Sequence, residues 1–521
     1  MKRQYRFLTD ADAVKVQIVL KSILVGILAG FLAVGYRLTL TVAEELAFKG
    51  YDFIRGNWLY TVSGFGFLLV CAFIVGTLLK WNPMISGSGI PQLEGIMKGY
   101  FKNRKSWFHT IWSKFLGGTL GILSGLSLGR EGPSIQLGAA LGEGIAKKVG
   151  NSTMEKKILM VSGASAGLSA AFNAPMAGVI FALEEIYKYF SPLILLSSLS
   201  AAVAADFVSK QFFGFDPVFH YKIIQSLPLN RYWLLLILGL IIGCMGSFYN
   251  FFLLFTKNLY QKIAHWDIRV RLCIPFMVAG LMGLVCPKVL GGGHAIVKEL
   301  NLNAGMKVLL VLFAVKLVFS MISFCSGAPG GIFFPLLVLG ATLGAIVGLA
   351  GIELGLIESD LFYNFIILAM AGFFSAIVRA PITGIVLIME MTGSFTHMLS
   401  LTIVSIVAYI VADLLKCPPI YDALLEGMLK DGKEVTHLKN QPKTLVEIIV
   451  RHESLFENQY VKDIQWPNHA LLVGLKRGEI QLVPKGDTKL LVGDYLVILV
   501  EEKDEALIKH TFEKMNEVHS I

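Results

Sequence analysis

Apolar stretches separated by short polar runs dominate the first four-fifths of the chain. They recur at about 18–42, 60–79, 110–128, 158–183, 192–207, 232–256, 271–289, 307–324, 332–351, 362–377, 382–392 and 399–415. The first is too long for a signal-peptide core and lacks a clean small-residue cleavage site, so it predicts a retained membrane helix. Several others are too short, or too interrupted by glycine, to cross ~30 Å of hydrocarbon as one straight helix, which takes ~20 residues. Non-helical backbone at that depth is tolerated only where protein buries it or it lines a polar cavity. The pattern therefore predicts a polytopic α-helical membrane protein with broken helices, the architecture of a transporter or channel. From about Pro442 the rhythm changes. Val446–Val450, Ala470–Leu475, Ile480–Val483 and Tyr495–Val500 are β-rich runs, Gly486-Asp487 and Gly493-Asp494 supply turns, and Glu505–Met515 predicts a closing helix.

Composition sharpens this division. Hydrophobic residues make up 55% of the chain, charged residues 16%, and mean hydropathy is +0.65. Soluble proteins carry ~25% charged residues, and disordered, collagen-like or disulfide-scaffold chains have quite different compositions. The charges are also unevenly placed. Residues 430–521 hold 13 Lys+Arg and 15 Asp+Glu, which leaves 33 basic and 22 acidic residues, net +11, in 1–429. A membrane domain over 1–429, a linker over 430–441 and a small soluble α+β domain over 442–521 follow. The basic excess sits in short runs between apolar stretches: Lys2-Arg3, Lys102-Asn103-Arg104-Lys105, Lys147-Lys148 and Lys156-Lys157. Such runs mark cytoplasmic loops rather than a nucleic-acid surface. The six cysteines form no CxxC or Cys/His cluster, so neither a disulfide framework nor a metal site is expected.

The membrane part repeats itself. Gly132-Pro133 followed by Gly138-Ala-Ala-Leu-Gly142 returns 202 residues later as Phe334-Pro335 followed by Gly340-Ala-Thr-Leu-Gly344. Asn173-Ala-Pro-Met-Ala-Gly178, with Glu184 beyond it, returns as Arg379-Ala-Pro-Ile-Thr-Gly384 with Glu390, at an offset of 206. Gly87-Ser88-Gly89 returns as Gly291-Gly292-Gly293, at an offset of 204. Two homologous halves, about 20–210 and 225–415, are predicted; whether they are parallel or inverted is open at this point.

Three segments share one design, glycines followed by a proline suited to the first turn of a helix: Gly87-Ser88-Gly89-Ile90-Pro91, Gly129-Arg130-Glu131-Gly132-Pro133 and Gly331-Ile332-Phe333-Phe334-Pro335. Glycine lets backbone approach a ligand closely, and a helix N-terminus presents free N–H groups at the positive end of its dipole. Three such ends converging would make an anion site with no bound metal and no full positive charge. A weakly held halide suits that design. These segments, in this order and spacing, resemble the selectivity-filter signatures of the CLC chloride channel and transporter family, over about residues 20–425.

The resemblance implies a homodimer in a lipid membrane, one anion pathway per subunit, and about 18 tilted helices in two inverted repeats. It implies that the hydroxyls of Ser88 and Tyr421 bracket a central chloride and that the backbone amides of Ile332 and Phe333 donate to it. Glu131, acidic at the mouth of an anion site, becomes the external gate: its carboxylate competes with the anion, and protonation releases it. Arg130 beside it sets local potential or pairs structurally. Glu184-Glu185 end an apolar run, and membrane-embedded carboxylates are costly and usually functional. The resemblance makes Glu185 the internal proton-transfer residue of the exchanger branch. Glu184 has a repeat counterpart in Glu390, which favours a structural role for that pair. Lys114 matches a basic residue the family places before the gate. Ser88 stands where nitrate-preferring relatives have proline, so chloride is expected over nitrate.

The tail, with Leu491-Val-Gly-Asp-Tyr-Leu496 near its end, resembles the C-terminal lobe of regulator-of-potassium-conductance domains. Such lobes dimerise and in some cases bind a small regulatory ligand; no other cofactor is expected. The reading is therefore a chloride/proton antiporter of the cell (inner or plasma) membrane with a cytoplasmic C-terminal domain. A passive gated chloride channel is the alternative. A cation transporter would need carboxylates along the filters, and only Glu131 is there. No phosphate loop, nucleophile–base pair or metal cluster supports an enzyme.

Overall fold

The computed structural model describes residues 2–101, 105–150, 152–219, 227–430, 443–452, 454–467, 470–478 and 480–501, with Ile508, Thr511, Phe512 and Met515. All of the linker over 430–441 except Lys430, and most of the basic run at 102–105, lie outside these residues. The chain divides into two compact units, Met1–Thr436 and His437–Ile521.

The first unit holds seventeen α-helices among the described residues. In the first half these are α1 (Lys2–Ile54), α2 (Trp58–Trp81), α3 (Ile90–Met97), α4 (Trp107–Leu123), α5 (Glu131–Val149), α6 (Thr153–Phe172), α7 (Pro175–Phe181) and α8 (Pro192–Phe213). The second half supplies α9 (Trp233–Lys262), α10 (Ile268–Val285), α11 (His294–Glu299), α12 (Met306–Cys325), α13 (Phe333–Glu353), α14 (Phe362–Val378), α15 (Pro381–Thr392) and α16 (Met398–Leu414), and α17 (Ile420–Lys430) closes the unit. Eight of the helices are long and apolar enough to cross a membrane. The apolar run at 158–183 is not one helix but three segments. Asn173 turns left-handed (φ 54°) and caps α6, Pro175 cannot continue it, and residues Ala182–Tyr187 unwind into a π-helix.

In chain order, α1–α8 correspond to α9–α16, and the pairs share packing partners. Helix α6 packs on α5 and α8, and α1 on α6 and α8; likewise α14 packs on α13 and α16, and α9 on α14 and α16. The relation between the halves is antiparallel. Glu184, just beyond α7, accepts from the amides of Ile382 and Thr383 at the start of α15 (3.3 and 2.8 Å). Glu390, near the end of α15, accepts from the amides of Met176 and Ala177 at the start of α7 (3.0 and 2.8 Å). Each short helix is thus capped by a carboxylate from its counterpart, placed where the dipole favours negative charge. Equivalent helices that run head to tail are what inverted repeats produce.

Close helix crossings depend on small residues. Gly138 and Gly142 on α5 face Gly163 and Leu159 on α6, and a Cβ at Gly163 would collide with the carbonyl of Gly138. Membrane helices gain no hydrophobic drive from packing on each other in lipid, so such backbone-to-backbone contact is a main source of their association.

The second unit is an antiparallel four-stranded sheet of order β1-β4-β2-β3, from β1 (Lys443–Ile449), β2 (Leu471–Arg477), β3 (Ile480–Leu482) and β4 (Tyr495–Glu501). All four strands fall on the β-rich runs of the sequence. The side chains of Val446, Ile448, Leu475, Leu496, Ile498 and Val500 build its core with Phe456 and Phe512. Arg477 forms a bidentate pair with the buried Asp494 (2.8 and 2.7 Å), which holds its guanidinium above the ordinary range. The closing helix over 505–515 lies largely outside the described residues; the four of them that are described are helical or continue the helix.

The α5–α6 crossing yields a direct test. Gly163→Val pushes a side chain into backbone that has no flexible end to yield, beyond the ~1–3 kcal/mol of ordinary overpacking. The monodisperse fraction in detergent should collapse. Gly35→Ala, where the added carbon meets nothing within 4 Å, should be neutral or slightly stabilising. Equal recovery of both variants would refute close packing at Gly163.

Candidate functional site

Each of the three glycine–proline segments ends in a helix N-terminus. Pro91 is the second residue of α3, and Pro133 and Pro335 are the third residues of α5 and α13. All three stand in the first turn, where the missing proline N–H costs nothing. The loops before these helices are laced to one another. Gly129 and Gly331 exchange both backbone bonds (2.7 and 2.8 Å) as an antiparallel bridge between repeat-equivalent residues. Gly330 donates to the carbonyl of Gly87 (2.9 Å), and Gly87 donates to that of Gly327 (3.3 Å). Gly132 approaches Ser88 so closely that a Cβ there would lie 2.8 Å from the serine Cβ. The predicted convergence of the segments is therefore observed.

Two buried lysines hold the loops from behind. Lys114 Nζ donates to the carbonyls of Ile85 (2.9 Å) and Gly87 (2.6 Å). Lys316 Nζ donates to those of Val289 (2.8 Å) and Gly291 (2.9 Å). Lys316 was not singled out in the sequence, although its 202-residue offset from Lys114 matches the repeat.

The side chains facing the loops are short of partners. Ser88 Oγ accepts from the amide of Ile90 (3.3 Å), which leaves its proton free to donate elsewhere. The Tyr421 hydroxyl, fully buried at the start of α17, has no hydrogen-bond partner among the described residues. Its ring lies edge-on to Phe181 at 6.4 Å, and Phe181 in turn packs on Phe333. Asp422, next to Tyr421, shares Lys188 with Glu185.

Glu131, the first residue of α5, is 0% exposed. Neither carboxylate oxygen receives a well-formed hydrogen bond; the amides of Glu131 itself and of Phe334 face it, and Arg130 Nε stands 3.8 Å away. Beside it, Glu44, Arg130, Gly292, His294 and Phe334 line a small cavity. His294 stacks on Phe334 at 4.0 Å, a neighbour that the sequence did not signal. Glu185 is 3% exposed and lies in the π-helical segment. Its Oε1 is 3.9 Å from Lys188 Nζ, which also contacts Asp422 (2.6 Å) and the fully buried Glu94 (3.0 Å). This cluster was likewise missed, because its members come from three separated helical segments. Ile332 and Phe333 sit at the start of α13, where first-turn amides have no intrahelical acceptor.

Fold and site together define a membrane transport protein of two inverted repeats, whose broken helices begin at loops bonded to one another and whose membrane part buries carboxylates. The family profile described as voltage gated chloride channel matches residues 70–413, and the TrkA-C domain profile matches 445–512. The chain belongs to the CLC family of voltage gated chloride channels and related transporters, and its tail is a TrkA-C domain. It is 32% identical over 452 residues to the H(+)/Cl(-) exchange transporter ClcA of Klebsiella pneumoniae, covering 84% of this chain and 95% of that one. The ClcA of Salmonella paratyphi A matches at 32% over 460 residues, with the same coverage of both chains. Among solved structures, a slow cyanobacterial Cl-/H+ antiporter superposes with a TM-score of 0.74 at 27% identity, covering 79% of this chain and 98% of that one. A CLC-type fluoride/proton antiporter shares the fold, with a TM-score of 0.64 at 24% identity and coverage of 78% and 97%.

Lys114→Met removes both bonds to the filter loop at once. Two stranded carbonyls cost ~1–3 kcal/mol each, while removing a buried ammonium returns several kcal/mol of desolvation. The two effects roughly offset in global stability, so the change should be local. Amide hydrogen exchange over 85–89 should rise about tenfold, an opening free energy lower by ~1.4 kcal/mol. Unchanged exchange there would show that the lysine does not hold the loop.

Proposed function

We propose that the protein exchanges chloride for protons across the membrane, with Glu131 as the outer gate and Glu185 as the inner proton-transfer group. The observation that carries this reading is a pair of buried carboxylates with unpartnered oxygens, Glu131 beside the bonded filter loops and Glu185 in the π-helix, together with the buried, unpartnered Tyr421 hydroxyl packed on Phe181. A passive pore has no need of the second carboxylate, since it costs desolvation and conducts nothing. The exchange activity named for the ClcA relatives, which this chain matches over nearly their whole length, supports the same reading.

The chloride is held by donors rather than by full charges. Ser88 Oγ and the Tyr421 hydroxyl supply O–H groups, and the first-turn amides of Ile332 and Phe333 supply N–H groups. These dipoles replace hydration water without trapping the ion. Ionised Glu131 takes an anion position as a tethered competitor; once protonated it is neutral and yields to chloride. Glu185 exchanges protons with the inner side, where Lys188, Glu94 and Asp422 surround it. The Ser88 hydroxyl, whose own acceptor role is taken by Ile90, supports chloride over nitrate. Family membership supports a homodimer with one pathway per subunit and a cytoplasmic tail.

Wild-type protein in vesicles given only a chloride gradient should drive protons uphill, since coupled exchange stores free energy and a channel cannot. Glu131→Gln mimics the protonated gate, so chloride should pass with proton movement abolished. Glu185→Gln should also abolish proton movement, with the gate intact and chloride flux slower. Rapid wild-type chloride flux without uphill protons at any tested pH would leave a gated channel instead.

The tail's separate composition and separate core support a regulatory or dimer-stabilising role. Truncation after Lys430 should leave a folded protein that still transports, with altered regulation or dimer lifetime. A stable, dimeric but wholly inactive truncation would place the tail inside the transport mechanism.

A further inference from the structure

Glu131 is 0% exposed, so a proton passing between it and the outer solution needs an intermediary. Glu131 lines a cavity of about 20 Å³ together with Glu44 and His294. That volume has room for a single water molecule.

His294 follows Gly293 as Ile90 follows Gly89 in the first repeat, so the frame is satisfied by an apolar side chain at this position. The imidazole adds two polar atoms that the packing does not ask for. Its stack on Phe334 (centroids 4.0 Å apart, planes 18° apart) fixes the plane in which its nitrogens point. Neither nitrogen touches solvent or has a hydrogen-bond partner among the described residues, and the same holds for both oxygens of Glu131. One water between ring and carboxylate would satisfy an atom of each. On the other side, Nδ1 lies 4.0 Å from Glu44 Oε2 of α1, within reach of a hydrogen bond after a small shift. The Glu44 side chain is 24% exposed, so it meets the water that the ring nitrogens do not. The other charged groups facing His294 are Arg37 on α1, Arg130 before α5, Lys316 on α12 and Lys298 on its own helix. All four are cations, so a proton arriving on the ring is passed on rather than stored.

We propose, on the transport reading, that Glu44 and His294 form the outer proton relay of the gate, with a bridging water between His294 and Glu131. Glu44 takes a proton from the outer solution, and the resulting acid gives it to the imidazole. The imidazolium then gives a proton to the water as the water gives one to the Glu131 carboxylate. Each hop breaks one O–H or N–H bond and forms another. Glu44 and the ring return to their starting charges, the water is unchanged, and Glu131 ends neutral. The reverse order empties the gate.

The test steps outer pH at fixed inner pH in oriented vesicles and reads chloride flux. His294→Phe keeps the stack on Phe334 and removes both nitrogens. Where protonation from outside limits the rate, its chloride flux should fall about a hundredfold, the low end of what a positioned acid–base group contributes. Acidifying the outside by about two units, which raises the proton concentration by the same factor, should restore it. Glu44→Gln should shift the outer pH profile in the same direction, and the double variant should be no slower than His294→Phe, since the two act in series. The inner pH profile should stay in place. In a Glu131→Gln background the gate needs no proton, so adding His294→Phe should slow chloride no further, whereas a packing defect would slow it there too. An unshifted outer profile in His294→Phe, equal shifts of both profiles, or slowing that persists with Glu131→Gln would each overturn the relay. Wild-type vesicles that fail to move protons uphill would sink the antiport reading. The outer-pH shift of chloride flux in His294→Phe would still decide the relay, because a gate opened by protons needs them delivered in either case.

Discussion

A backbone that stops being helical at the depth of a membrane must find partners for every N–H and C=O, since hydrocarbon offers none. The rest of this structure depends on how that is met. The three filter segments break their helices so that free amides face inward, and the loops then satisfy one another. Gly129 pairs with Gly331, Gly87 with Gly327 and Gly330, and the carbonyls left behind are taken by Lys114 and Lys316. Glycine is required where these loops approach closely, as where Gly132 lies against Ser88. Among the described residues the Tyr421 hydroxyl has no partner and the Ser88 hydroxyl proton has no acceptor, and such donors are what an anion needs.

The two repeats share the supporting structure and divide over the chemistry. Residues that keep their type across the offset are structural: Lys114 and Lys316 each hold a loop, and Glu184 and Glu390 each cap the other repeat's short helix. The residues proposed to carry transport have counterparts that could not do the same work. Glu131 corresponds to Phe333, Glu185 to Met391 and Ser88 to Gly292. The backbone departs at the same place. Helix α15 runs regularly to Thr392, whereas after α7 the chain winds into a π-helix that carries Glu185. Such π-segments recur at functional sites. Symmetry builds the frame, and its local failure makes the site.

Charge is distributed by the same logic. Near the filter, Lys114 and Lys316 are turned onto backbone carbonyls, and Arg130 pairs at 3.8 Å with the Glu131 carboxylate. Arg271 makes no hydrogen bond or ion pair among the described residues. A full charge at the narrowest point would hold an anion too long for it to be released on the other side.

The sequence by itself determined what depends on local pattern. Apolar run lengths marked the membrane domain, the change to β-rich runs marked the tail, and all four tail strands formed where they were read. Glycine–proline spacing marked three helix starts, because a first-turn proline is a local backbone requirement that any fold must respect. The repeat could be read from identities alone, yet its sense could not: an offset is the same for parallel and inverted halves. Tertiary structure decided that, through Glu184 and Glu390 each reaching the opposite end of the partner helix. It also decided which charges meet. Glu94, Lys188 and Asp422 are nearly a hundred or more residues apart in sequence, and His294 comes beside the filter by stacking on Phe334. Such clusters have no signature in spacing, because their energy comes from burial and from neighbours that only the folded chain supplies.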